Sequence, residues 1–336
     1  MKLFKKKEKT EDKRTEVQKV EERREEILAR GRKFKYPLQY EKHKLVWNTI
    51  VISVVSLLLL VSIGGVALYK FQVTSDVMYR VTALIPVPVA NVDGTNVRFS
   101  DYLMMFRSSL KAVEQQAGQL GGGTDATELK DDYKRVALDR AEEYAFAEKL
   151  VKEVNGEIKV TDEEVEKMFV EHRKVGGEER SEASFLKVLD SNFGLNKDEY
   201  KRLLYLSILK AKVEEMIDTN ARNVAEKVEK MIASGMAYNA IAGQLGEDAV
   251  VYEETGGLVS NKNIDGGRSA KAVELEKGAN SGKFLSSNGD GYYFVKLVDK
   301  SATQVNYVSI KVPFTEFDKQ MQQVRDEGKI KEYIKL

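Results

Sequence analysis

The chain has 336 residues, 42% of them hydrophobic and 32% charged, with only 4 prolines, a balance that supports helix-rich folded cores and excludes wholesale disorder. It has no cysteine and two histidines, His43 and His172, so disulfides, thiol nucleophiles and cysteine zinc sites are ruled out and histidine catalysis has little to work with. The net charge of +1 conceals a division: residues 1–44 carry 16 Lys/Arg against 9 Asp/Glu, and the remainder is net acidic.

Residues 8–30 alternate charges at helical spacing without an apolar stripe, which predicts a solvated helix or a disordered arm. Lys5, Lys6 and Lys7, then Arg30, Arg32, Lys33 and Lys35, suit contact with anionic lipid. Acids interrupt this patch and no stacking platform accompanies it, so nucleic acid is not an expected partner. Residues 45–69 then run without a charge. As a helix this stretch measures about 37 Å at about 1.5 Å per residue, enough to cross a hydrocarbon core of about 30 Å. It is too long, and lies too far from the N-terminus, for a cleaved signal peptide. Trp47 and Tyr69 suit the two interfaces, and His43 reads as an interfacial side chain without a partner. The basic arm predicts a cytoplasmic N-terminus, with the chain from about Lys70 onward outside the cytoplasm.

Residues 70–89 read as a linker closing in a short strand, with Pro86 and Pro88 enforcing extended backbone. Asp93-Gly94 after alternating apolar residues signals a tight turn. Ser100 and Asp101 are candidate N-caps for a helix carrying Tyr102, Leu103, Met105, Phe106 and Leu110. Gly121, Gly122 and Gly123 break it, and without a following lysine they read as a flexible connection rather than a phosphate loop. A helix from about Thr127 to Val154 stops at Asn155-Gly156, and Thr161 with Glu164 forms a capping box for the next. His172 near its end reads as a solvated helix terminus. Further helices are expected over 181–189 and 196–217, separated by Phe193-Gly194-Leu195, giving an all-α region with a strand at its start.

Three short motifs carry a resemblance. Ala90-Asn91-Val92-Asp93-Gly94 with Val97, Phe99, Asp101 and Tyr102, then Val160 to Val165, then Phe185-Leu186 through Gly194-Leu195 to Glu199-Tyr200, follow in order. Together they resemble the N-terminal chaperone domain of the SurA, PrsA and PpiD foldases, which guide proteins outside the bacterial cytoplasm. The likeness covers about residues 90–217. After Ala221 the chain resembles a parvulin-type prolyl isomerase domain: Ala225 to Ile232, Ser234-Gly235, Tyr238, Ile241 and Ala242 look like its helices. Residues 289–297 look like its terminal strand, and Asp248 precedes Gly256-Gly257-Leu258.

The departures bear on chemistry. Parvulins carry a histidine in the first strand and another in the last; here Tyr293 stands at the latter place and no first strand precedes Ala221. The aromatic wall of the family's proline pocket falls near Arg268. Residues 305–312 form a β-like run, expected to fill the vacated sheet position because an unpaired central edge is costly; that would place Ser309 near the first histidine's site. Thr315 is then expected to cap a helix with Phe317, Met321 and Val324. Asp248, Tyr293 and Ser309 are thus the candidate site residues, although Asp248 and Tyr293 read first as a turn-capping aspartate and an ordinary strand tyrosine.

The expected fold class is α+β: a basic arm (1–44), a single transmembrane helix (45–69), a linker (70–89), an all-α SurA-N-like domain (90–220) and a small parvulin-like α+β domain with a strand-helix extension (221–336). The resemblance implies a membrane-anchored extracytoplasmic chaperone whose isomerase centre is weak or inactive, with unfolded or newly secreted polypeptides and membrane lipid as partners and no metal or other cofactor. An active prolyl isomerase and an envelope scaffold are the alternatives. Met104, Met105, Met168 and Met216 are candidate adaptable client contacts, though methionines at helical spacing are more often core.

Overall fold

In the computed structural model, residues 15–120, 126–154, 158–175, 178–246 and 249–336 are described. The chain mixes helix and sheet and divides into two compact units, 1–67 and 68–336. Lys5, Lys6 and Lys7, the glycines 121–123 and 176–177, Asn155-Gly156 and the candidate Asp248 lie outside the described residues.

The described residues of the first unit form one helix, α1 (Glu16–Tyr69), whose last turn runs into the second unit. Its His43–Tyr69 portion is long and apolar enough to cross a membrane; its most apolar window is not buried by protein, and Leu68 near its end is. The hydroxyls of Thr49 and Ser62 donate to the carbonyls of Leu45 and Leu58, four residues earlier, at 2.9 and 2.8 Å. Those two hydroxyl hydrogens are thereby bonded within the helix and make no demand on lipid.

The second unit opens with α2 (Asp76–Leu84), where a linker was expected. Ser75 starts it by accepting from the Met78 amide, and Thr82 is buried on its inner face. A hairpin follows, β1 (Pro88–Val92) and β2 (Thr95–Arg98). Its turn places Asp93 at φ 44° and Gly94 at φ 89°, the two positive angles an Asp-Gly turn supplies. The helix α3 (Phe99–Leu120) begins before the expected caps. Asp101 is instead clamped by Arg202 through bonds of 3.2 and 2.8 Å.

Next come α4 (Ala126–Glu153), α5 (Asp162–His172), the two-stranded pair β3 (Lys174–Val175) and β4 (Glu178–Glu179), α6 (Glu182–Phe193) and α7 (Lys197–Ile217). Thr161 and Glu164 form the expected capping box, and Asn196 with Glu199 forms a second. Gly194 ends α6 at φ 62°, a left-handed cap that glycine adopts without strain. His172 is exposed at the helix end, as expected, with its Nδ1 2.6 Å from the Tyr200 hydroxyl, and partial desolvation lowers its pKa.

The remaining elements are α8 (Thr219–Ala233), α9 (Tyr238–Leu245), β5 (Val251–Glu254), β6 (Val259–Ser260), α10 (Arg268–Glu274), β7 (Phe284–Leu285), β8 (Gly291–Lys300), β9 (Gln304–Pro313), α11 (Glu316–Asp326) and β10 (Ile330–Glu332). Their sheet is antiparallel in the order β5-β9-β8-β7, with β6 also on β9. Residues 305–312 therefore do pair with the strand at 291–298, and β9 is central.

Period-two alternation divides this sheet between two cores. Tyr292, Phe294, Ile310 and Val312 face α8 and α9, whereas Val295, Leu297, Val305 and Tyr307 pack with Ala272 of α10. Gly291 is obligatory here: at φ 146° a Cβ would stand 2.3 Å from the Val312 carbonyl oxygen.

The C-terminal extension does not stay with this sheet, as the expected 221–336 domain would have it. Strand β10 pairs antiparallel with β1, Val92 opposite Ile330 and Ala90 opposite Glu332. Phe317, Met321, Val324 and Ile334 join the core of β1, β2, α3 and α4. Phe317 meets Phe146 edge-on at 5.2 Å between ring centres. Thr315 makes no side-chain cap. Its own amide and that of Glu316 donate to Asp218 at 2.7 and 3.0 Å, while the other Asp218 oxygen caps α8 through the Ala221 amide at 2.8 Å.

Candidate functional site

The candidate residues Tyr293 and Ser309 lie on one face of the sheet because register and alternation leave them no other. Ser309 on β9 stands between Glu253 on β5 and Val295 on β8. One row along, Tyr293 stands between Lys311 on β9 and Phe284 on β7. Residues directly opposite across a ladder project to the same side, so Glu253, Ser309, Tyr293, Lys311 and Phe284 share a surface. Arg268, the first residue of α10, reaches over it.

The guanidinium of Arg268 lies 5.0 Å above the centre of the Tyr293 ring, and Phe284 stacks beside that ring at 6.0 Å. Arg268 also pairs with the Glu253 carboxylate, donates from Nε to the Asp265 carbonyl at 2.8 Å, and brings Nη1 to 3.5 Å from the Ser309 Oγ. Lys311 approaches the same tyrosine ring at 5.9 Å and pairs with Asp290. The Tyr293 hydroxyl is 3.4 Å from that Asp290 carboxylate. Gly266 threads past at φ 73°, where a Cβ would meet the Ser286 Oγ at 2.8 Å and the Tyr293 Cε2 at 3.2 Å. The backbone lies against the ring because it carries no side chain there.

Electrostatics at this face do not favour acid-base work near neutrality. Burial raises the Tyr293 pKa, and the neighbouring Asp290 carboxylate raises it further, so the phenol stays protonated. Burial alone would raise Asp290, but hydrogen bonds from Lys311 and Ser286 hold its carboxyl below its ordinary range. Ser309 is buried with its Oγ 3.5 Å from the Arg268 guanidinium, and the Glu253 carboxylate across from it is held by that same cation, so Ser309 is not an activated nucleophile. His172 is engaged with Tyr200 among the helices. Among the described residues no group of three or more His, Asp or Glu is arranged to hold a metal ion.

Arg268, Tyr293 and Ser309 therefore converge, but on charge pairs rather than on an apolar proline pocket. Lys311 was legible beforehand, since two residues along a strand from Ser309 return to the same face. Glu253 and Asp290 were not, because the short β5 and the turn before β8 carry no periodic signal. Beside them lies a second network: Asp265 accepts from the Ser269 amide at 3.0 Å and from the Tyr307 hydroxyl at 2.7 Å. Burial, then Asp265, pushes the Tyr307 pKa up to about 12.

Of the candidate client contacts, Met104 and Met105 are buried in the helical core and offer no free surface. Exposed apolar side chains sit elsewhere: Leu258 just before β6, Ile264 in the loop before α10, and Leu285 on β7. No family model matches the chain, and neither a curated protein nor a solved structure gives a significant match.

Proposed function

We propose that the chain is a membrane-anchored extracytoplasmic chaperone, with residues 45–69 as a single span, a cytoplasmic basic arm, and a helical body and parvulin-like sheet that hold unfolded or newly secreted polypeptides. The resemblance over residues 90–217 and after Ala221 supports the class, and the basic arm before the span supports the orientation. The central placing of β9, between β5 and β8, is consistent with a C-terminal strand standing in for the missing first strand of a parvulin sheet.

The single observation that carries the reading is the paired Arg268 on Tyr293. An X-Pro bond isomerises over a barrier of about 18 to 20 kcal/mol. Lowering it needs an apolar pocket that desolvates the proline and binds the twisted amide more tightly than the planar one. A guanidinium held over the ring by Glu253, with Lys311 and Asp290 at its edge, occupies that ground with charge. Ile264, next to the Asp265 that holds Arg268, and Leu258 are exposed to touch apolar segments. Binding is retained and catalysis is lost.

The full chain in nanodiscs is to be tested for holdase action on three unrelated aggregating clients and for acceleration of a proline-peptide isomerisation. Suppression of aggregation without acceleration is the expected pair of results. Acceleration that disappears in Tyr293→Phe would instead make it an active isomerase, and failure with all three clients would make it a dedicated scaffold.

A further inference from the structure

Helix α2 has two faces of unequal fate. Its inner face packs through Met78, Tyr79 and the buried Thr82, with Asp76 paired to Arg107 at 2.5 Å and the Arg107 guanidinium 5.0 Å over the Tyr79 ring. Its outer face carries Val77, Val81 and Leu84 at i, i+4 and i+7, continued by Ile85, at 66, 43, 85 and 58% exposure. Among the described residues nothing covers this stripe. A helix of nine residues held by one face does not need four bare aliphatic side chains on the other.

The occupant follows from where the chain begins its fold. Leu68 is buried in the core of the second unit, and the Tyr69 hydroxyl donates to the Pro88 carbonyl at 2.6 Å. The last turn of the apolar helix is therefore already part of the folded body. Six residues, 70–75, separate it from Asp76, a reach of at most about 25 Å over seven steps of about 3.6 Å. Along this path stand exposed Phe71 and Lys70, and Arg80 is exposed on α2 itself, the composition of a segment lying in a lipid headgroup layer.

The geometry points to the Val77, Val81, Leu84 and Ile85 stripe of α2 as a lipid-contacting face that seats the folded body on the surface of the membrane the preceding helix crosses. This rests on the reading of residues 45–69 as a span. It adds a second, in-plane membrane contact that limits how the body tilts above the bilayer.

The absence of cysteine makes the test clean, because any introduced thiol is the sole labelling site. Single variants Val77→Cys, Val81→Cys, Leu84→Cys and Ala83→Cys in the full chain carry an environment-sensitive fluorophore, in phosphatidylcholine and phosphatidylglycerol vesicles with quenchers in the upper acyl chain. Quenching at least threefold stronger at 77, 81 and 84 than at 83 is expected. Equal quenching at all four sites, or none at any, overturns the proposal. So does emission at 84 that shifts only when an unfolded client is added, which would make the stripe a client site. Flotation of the same vesicles after alkaline extraction separates the two readings: a chain that floats but shows no facial quenching loses only the α2 contact, and one that does not float loses the span as well.

Discussion

Arg268 covers the ring of Tyr293 at 5.0 Å while its other nitrogens are held by Glu253 and the Asp265 carbonyl, so the cation is fixed over the aromatic face rather than swinging in solvent. A cation over a tyrosine contributes about 0.5 to 2 kcal/mol, the larger value when desolvated. Arg268→Ala is expected to lower stability by about 1 to 2 kcal/mol in urea unfolding of the full chain in nanodiscs, and to leave proline-peptide isomerisation at its uncatalysed rate. Because Arg268→Met keeps the ring covered, it should recover part of the loss. Restoration of isomerase activity by either variant would mean that the cation alone blocks a competent pocket.

Glu142 of α4 is fully buried, with Arg325 of α11 at 3.4 Å and the Arg135, Asp139 and Glu332 charges around it. Burial, then the Glu332 carboxylate, raises its pKa to about 7, against 4.5 ordinarily. The folded state therefore binds a proton that the unfolded state releases. Its contribution is complete below about pH 4.5 and is lost as pH rises through about 7, on the order of 3 kcal/mol in all. Melting temperatures at pH 5 and pH 8 should differ more in the native chain than in Glu142→Gln, and Glu142→Gln should be the more stable of the two at pH 8. An unchanged difference between the two pH values would refute the assignment.

Gly291 admits no side chain, since a Cβ would lie 2.3 Å from a backbone oxygen of the neighbouring strand and 3.0 Å from the Pro313 Cα. Gly291→Ala must break the Gly291 and Pro313 register or shift β9. A loss of more than about 3 kcal/mol is expected, with hydrogen exchange accelerating first at the Gly291 end of β8. Protection equal to that of the native chain would show that the strands shift without cost.

The tail is a working part of the first core. Phe317→Ala should cost about 3 to 5 kcal/mol, the range for a buried aromatic truncated in a packed site. Asp218→Ala should cost about 2 to 3 kcal/mol, because one carboxylate accepts from the amides that begin both α8 and α11. Limited proteolysis is the readout: both variants should open cleavage within residues 314–336 before any within β8. First cleavage in β8 would place the tail with the sheet instead.

Local signals in this chain were readable and long-range ones were not. The Asp93-Gly94 turn, the Thr161 and Glu164 capping box and the uncharged run from Leu45 each depend on residues a few places apart, so their chemistry is complete within a short window. A window of that size also carried Ser75, but the β-branched residues around it masked a cap whose helix is held by Arg107 and the core beneath. Asp101 looked like a cap because aspartate near a helix start usually is one; Arg202, 101 positions away, decides otherwise.

The same reason separates the two halves of the candidate site. Placing Ser309 on a strand at 305–312, and that strand beside β8, followed from the β-like run and the cost of an open edge. That Arg268 would lie on Tyr293 with Glu253 holding it, and that Phe317 would leave the sheet to pack against Phe146, depend on where separate elements meet. Sequence periodicity states which side of an element is apolar. Only the packing of whole elements, settled by shape and by competition for buried area, states which apolar side it meets.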